Sequence, residues 1–204
     1  MPLELQRAVL GLVERVYGGA HVETPDWLRR PGRAACRERW PLVQSIYLSL
    51  TGLELPNEMP PRETRRVDAV LQRAGEAPRI VEVDEKQHFN QYRAQTLLQY
   101  PRNLAVGFHL DVWLQHCQQK RKLEGGGFAR PRPPLFPGQD GRHKQRAFRD
   151  ALADILPSEH GFLPTLRVAF FEVNDWLEAT EAPHTMSRLL TNKGVGVVDR
   201  TLRR

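Results

Sequence analysis

The sequence predicts an α/β domain with a mixed central sheet, and three observations predict it. Residues 65–72, a Gly- and Pro-containing turn at 74–78 and residues 80–86 read as two strands joined in an antiparallel hairpin. Apolar stripes at helical spacing precede and follow that hairpin. Residues 165–173 then form a strongly apolar run that reads as a buried strand.

The elements follow in order. Leu5, Val9, Leu12, Val13 and Val16 share one face of a first helix, which Gly18-Gly19 stops. Its polar face carries Glu4, Arg7 and Glu14, as a solvated face does. Trp40, Val43, Ile46, Tyr47 and Leu50 mark a second helix, with Pro41 in its first turn and Gly52 at its end. Three prolines make 55–64 a loop.

After the hairpin, 89–100 reads as helical up to Pro101, and 104–108 as a short strand. Asp111 is placed to cap a helix through Trp113, Leu114 and Cys117, with Lys120, Arg121 and Lys122 in its last turn. The Gly- and Pro-rich stretch 125–141 is long for a structureless loop, and a substrate-side flap is one expectation for it. Ala147, Phe148, Ala151, Leu152 and Ile155 define a helix over 143–156 that Pro157 ends, and Asn174-Asp175 can cap a short helix at Trp176. The expected division is a single domain: a helical part over about residues 1–60, a core over 61–175 and an extension over 176–204.

Composition narrows the function classes. No apolar stretch approaches the roughly 18 residues of a spanning helix, and Glu4 and Glu14 interrupt the first apolar segment, so a soluble, intracellular protein with no membrane partner is expected. Cys36 and Cys117 stand far apart without a C-x-x-C partner, and read as reduced core thiols. His109, His116 and Cys117 lack a fourth ligand at zinc spacing. The net charge of +6 fits a polyanionic partner, although 25 of the 30 basic residues are arginine, which composition alone can produce. Position must therefore decide.

Two patterns carry chemistry. The first is Ile80-Val81-Glu82-Val83-Asp84-Glu85-Lys86-Gln87-His88, an apolar strand that ends in charge. By strand alternation Glu82, Asp84, Lys86 and His88 share a face, and the hairpin brings Asp68 opposite them. Carboxylates so close repel unless a cation lies between them, and Mg²⁺ takes one or two carboxylates while keeping waters. A merely charged edge strand is the bland alternative. The second pattern is Arg142, Arg146 and Arg149 at i, i+4 and i+7, with Lys144 nearby, at a helix N-terminus whose dipole opposes cations. A bound phosphate, held by arginines and backbone amides together, explains that placement.

Asp68 on one strand and Glu82-Val83-Asp84-Glu85-Lys86 on the next resemble the PD-(D/E)xK superfamily, the restriction-endonuclease-like fold. Val67 stands where that pattern has proline. The longer string through Gln87, His88 and Phe89 looks like a little-characterised group of such domains with an E-x-D-E-x-Q-H strand motif. The resemblance implies a restriction-endonuclease-like core and a Mg²⁺ ion, with Mn²⁺ able to substitute, held by Asp68, Asp84 and Glu82. Lys86 would stabilise charge or steer water, and His88 would move a proton. Glu85 and Gln87 form a competing E-x-Q register on the other face unless a bulge intervenes. The implied activity is Mg²⁺-dependent endonuclease hydrolysis of double-stranded DNA, with Arg142, Lys144, Arg146 and Arg149 on flanking phosphates and homodimerisation open. The alternatives are a non-catalytic nucleic-acid-binding or interaction module that keeps the fold, and an RNA nuclease.

Overall fold

The computed structural model describes residues 2–21, 23–119, 123 and 125–196, and places a four-stranded mixed sheet between two helical layers. The strands are β1 (Ala20–His21), β2 (Ala69–Leu71), β3 (Arg79–Asp84) and β4 (Leu163–Ala169), in that spatial order. β1–β2 and β2–β3 are antiparallel, and β3–β4 is parallel. Helix α1 (Pro2–Val16) comes first; α2 (Asp26–Arg29), α3 (Arg33–Cys36) and α4 (Trp40–Thr51) follow β1. The crossover from β3 to β4 carries α5 (Gln91–Leu97), α6 (Leu110–Gln119) and α7 (Gly141–Ile155); α8 (Phe170–Val173) and α9 (Ala182–Asn192) close the described chain.

Strand alternation sorts the sheet's two faces. Ala69, Leu71, Val81, Val83, Leu166 and Val168 pack with Val9, Val13 and Val16 of α1 and with Met186 and Leu190 of α9. Val70, Ile80 and Ala169 turn the other way, towards α4, α5, α6 and α7. On that second face the strands also carry Glu82, Asp84 and Arg167, so the surface under the helices is charged as well as apolar.

Several elements depart from the sequence expectation for identifiable reasons. The strand expected over 65–72 keeps only three paired residues. Upstream, Arg65 N–H donates to the Arg29 carbonyl at 3.0 Å and Val67 N–H to Thr24 Oγ1 at 3.0 Å, so these amides serve the 24–29 segment. The run expected as strand over 104–108 makes one bridge, Gly107 to Leu166, where a Cβ would lie 2.4 Å from the Thr165 carbonyl oxygen. The strand expected over 165–173 ends at Ala169, whose N–H donates to Glu172 Oε2 at 2.8 Å and starts α8. Asp111 lies inside α6, and Lys120, Arg121 and Lys122 fall outside the described residues.

The 125–141 stretch is a strap rather than a flap. Leu135 and Phe136 are buried, Tyr47 OH donates to the Leu135 carbonyl at 2.6 Å, and Phe136 packs against Tyr47 and Phe148. The strap closes over the start of α7: a Cβ on Gly141 would meet the Phe136 carbonyl oxygen at 2.4 Å. Among the described residues, no helix is long and apolar enough to cross a membrane.

Candidate active site

A cavity of about 390 Å³ opens where the ends of β2 and β3 meet α7. The hairpin and the turn after β3 contribute Asp68, Glu82, Glu85, Gln87 and His88; α7 contributes Arg142, Arg146, Arg149 and Asp150; Arg65, Arg66 and Gln6 complete the lining. Both sequence patterns therefore face one space.

Hairpin register explains the first group. Ala69 pairs with Val81 and Val70 with Ile80, so Asp68, the residue before the ladder begins, is set beside Glu82 and Val83. Asp68 Oδ2 accepts the Val83 N–H at 2.8 Å, and its Oδ1 accepts Gln6 Nε2 at 2.6 Å from α1. Burial raises the Asp68 carboxyl above its ordinary range, with Asp84 adding to the rise while the Val83 amide, His88 and Arg65 pull the other way. Glu82 is pushed up to about 8, chiefly by burial, against the pull of Arg65 and Arg167 and with the push of Asp68 and Asp150. Arg65 forms a short ion pair with Glu82 through Nη2 and donates through Nη1 to the Arg149 carbonyl.

Alternation fails after Asp84, and the predicted face breaks there. β3 ends at Asp84, and Lys86–His88 turn into a 3₁₀ segment. Lys86 is exposed and off the cavity wall, with Nζ 5.6 Å from the Phe170 ring centre. The same turn brings Glu85 and Gln87 onto the wall, where Gln87 Nε2 donates to Glu85 Oε2. The 3₁₀ turn does what a bulge was needed for: the E-x-Q pair shares the cavity with Asp68, and the D-x-K pair does not.

Asp84 is likewise absent from the wall. It is 1% exposed, its Oδ1 accepts Arg167 Nη1 at 2.6 Å, and its Oδ2 accepts Trp113 Nε1 at 2.7 Å. Arg167 also reaches Asp154 Oδ1 at 2.7 Å through Nε and the Asp150 carbonyl at 3.0 Å through Nη2. Arg93 and the Tyr100 hydroxyl bind the other Asp154 oxygen at 2.5 and 2.7 Å. His88 joins this buried cluster to the cavity: its Nδ1 lies 3.0 Å from Asp150 Oδ2 and 3.5 Å from Asp84 Oδ1. Burial would raise the Asp150 carboxyl, yet His88 and Arg167 hold it below the usual range.

Among the described residues, Asp84, His88 and Asp150 form a group of three side chains whose ligand atoms lie within 4.8 Å of one another. Both Asp84 oxygens and one face of Asp150 already serve Arg167 and Trp113, so this triad reads as the end of an ion-pair network. Among the described residues, Asp68, Glu82 and Glu85 are in no such group of three. With Glu82 committed to Arg65, Asp68 fits a metal only in a water-rich shell with Glu85 as the second carboxylate.

The arginine wall is crowded by like charge. Burial lowers Arg142 to about 10, and Arg146, Arg149 and Arg132 add to the effect. Glu63 offsets part of it, accepting Arg149 Nη2 at 3.1 Å and Gln145 Nε2 through both oxygens, while Gln145 Oε1 accepts Arg142 Nη1 at 2.7 Å. Lys144 leaves this wall, its Nζ 5.4 Å from the Tyr92 ring centre. The expected partnership of arginines with helix amides is reduced, because the Arg142 N–H donates to the Arg130 carbonyl at 3.0 Å.

The sequence reading passed over Gln6, Arg65, Arg66, Asp150 and Arg167 as site residues. A signal existed for one of them: Asp150, with Asp154 four residues on, interrupts the buried face of α7 formed by Ala147, Phe148, Ala151, Leu152 and Ile155, a poor place for unpaired acids. Nothing local marks Gln6.

Residues 46–130 match the profile of a family of unknown function (DUF7255). The match takes in Asp68 and the 82–88 string but stops before α7 and β4, and covers less than half of the chain. No curated protein and no solved structure matches the chain.

Proposed function

We propose that this protein is a Mg²⁺-dependent nuclease that hydrolyses phosphodiester bonds in DNA, on a restriction-endonuclease-like core. The observation that carries the reading is the shared lining: carboxylates with Gln87 and His88 from the hairpin and its turn, and arginines from α7, around one cavity. Acids alone would repel a phosphodiester, and arginines alone would only bind it. Antiparallel β2–β3 with Asp68 beside Glu82, and β4 parallel to β3, support the fold half of the reading.

The donor set fits a hard divalent cation. Asp68 and Glu85 present carboxylates to the cavity, and the raised Asp68 carboxyl is a group that a nearby cation would relieve. Asp68 and Glu85 would hold Mg²⁺, or Mn²⁺ in its place, with Glu82 behind them on Arg65. When bound, the ion would polarise the phosphoryl group and lower the pKa of a coordinated water. Arg142, Arg146 and Arg149 would hold the phosphate oxygens and stabilise charge on them. His88, oriented through Nδ1 by Asp150, would turn Nε2 to the cavity to take a proton from the attacking water.

A plasmid-nicking assay tests this. Mg²⁺-dependent conversion of supercoiled DNA is expected, abolished by EDTA and reduced on the order of 10²-fold or more in Asp68→Asn and His88→Ala. Equal activity in Asp68→Asn would overturn the catalytic reading. One observation favours a second reading, a nucleic-acid-binding module without catalysis: Glu82 and Asp84 both carry buried arginine partners. Salt-sensitive DNA binding with no cleavage in any metal would establish that reading instead.

A further inference from the structure

A second depression, of about 750 Å³, adjoins the cavity on the β1 side of the hairpin and shares Arg65 and Arg66 with it. Its walls include His21, Glu23, Arg29 and Thr64. His21 is exposed on β1; Arg29 is half exposed at the end of α2 and lies 3.5 Å from the almost fully exposed Asp26 carboxylate, a contact that solvent weakens.

Arg65 is the junction. It is 7% exposed and borders both spaces; Nη1 and Nη2 are committed to Arg149 and Glu82, but its Nε has no hydrogen-bond partner among the described residues. Arg65 is thus the fixed, buried partition between the two spaces. Arg66 next to it is exposed and lines both spaces, so the rim between cavity and groove offers its guanidinium group.

We infer that the groove carries the nucleic-acid strand beyond the cavity, with the phosphate next to the reacting one held at Arg66 on the shared rim and a further phosphate near Arg29. This rests on the nuclease reading and deepens it: the substrate is a polymer strand that continues past the reaction centre, not a small phosphodiester that the cavity alone could hold. Glu23 in the groove lining, and Asp26 beside Arg29, are then acids that a passing phosphate meets.

The test is fluorescence anisotropy of the full chain with fluorescein-labelled 20-nucleotide DNA, single-stranded and duplex, in EDTA over a range of salt. Arg29→Glu is expected to weaken binding about tenfold and to make the salt slope shallower by about one. Glu23→Gln is expected to tighten binding about twofold to threefold, a sign that misfolding would not produce. If wild type binds, Arg142→Glu weakens binding, and both groove variants bind like wild type with the same slope, the strand path is overturned and the cavity reading stands. If wild type binds neither DNA, the nuclease reading falls and the strand path falls with it.

Discussion

Two groups of charges meet at His88, built from the same residue types and opposite in consequence. Behind it, Arg167 and Arg93 sit among Asp84, Asp150, Asp154 and Tyr100, every one buried. In front of it, Arg65, Arg66, Arg142, Arg146 and Arg149 line an open cavity together with Asp68, Glu82 and Glu85. In the rear group, opposite charges are matched within the protein, and nearby carboxylates raise Arg167 well above its ordinary range. In the front group, burial and the neighbouring Arg146, Arg149 and Arg132 lower Arg142 to about 10. A charge group that completes itself holds a fold together; one whose arginines gather at an open cavity is placed for an anion.

The largest effect should separate the two groups by stability. Arg167→Ala would strand three buried aspartates, and urea denaturation is expected to show a loss of about 3–5 kcal/mol. Arg142→Ala should leave stability within about 0.5 kcal/mol, since it removes a partly exposed charge from a repulsive set. If both variants lose stability alike, the arginine wall is structural and the contrast fails.

The next effect is a pH slope with a definite sign. Glu82 rises from 4.5 to about 8 on folding, so the native state binds its proton more tightly than the unfolded chain does. Stability contributed by that proton is fully present below pH 4.5 and is lost as pH climbs through 8, at up to about 1.4 kcal/mol per pH unit. Asp150 works the other way: its carboxyl is held low, so its contribution is present above pH 3.8 and fades as pH falls below it. Denaturant titrations in EDTA between pH 5 and 8 should show the downward slope in wild type and its loss in Glu82→Gln. An unchanged slope in the variant would assign it to another group.

Smaller still is the binding effect of the front wall. Arg142→Ala is expected to weaken DNA binding about tenfold, and Lys144→Ala not measurably, because Lys144 lies over Tyr92 and away from the cavity. Anisotropy titration at fixed salt distinguishes them, and equal losses would mean that the stripe acts through net charge alone.

What was legible in the sequence follows the range of the interactions involved. Apolar spacing marked α1, α4 and α7 because one stripe meets one core face. The arginine stripe was legible because it opposes its own helix dipole. The hairpin placed Asp68 beside Glu82, as the register has it. The end of β3 was not legible: alternation carried Lys86 and His88 onto one face, whereas the chain turns at Glu85. Nor could local pattern show that Arg167, 83 residues away, would claim Asp84. Partners brought by a parallel strand and a crossover helix decide which acids are buried, and they leave no local mark on the strand that carries those acids.

The last effect, no larger than the one on binding, bears most directly on that turn. Lys86 and Gln87 are neighbours, and strand parity put Lys86 with the acids, while the 3₁₀ turn puts Gln87 on the cavity wall and Lys86 on the surface beside Phe170. Single-turnover cleavage should therefore fall about tenfold in Gln87→Ala, which removes the amide that donates to Glu85. Lys86→Ala should stay within about twofold, since an exposed ammonium near a ring contributes only about 0.5–1 kcal/mol, and to stability rather than to the cavity. The reverse ranking would require residues 85–88 to re-extend when substrate binds. That would restore Asp84 and Lys86 to one face at the cost of the Asp84–Arg167 contact, and hydrogen exchange at Glu85–Phe89 would then change on adding DNA.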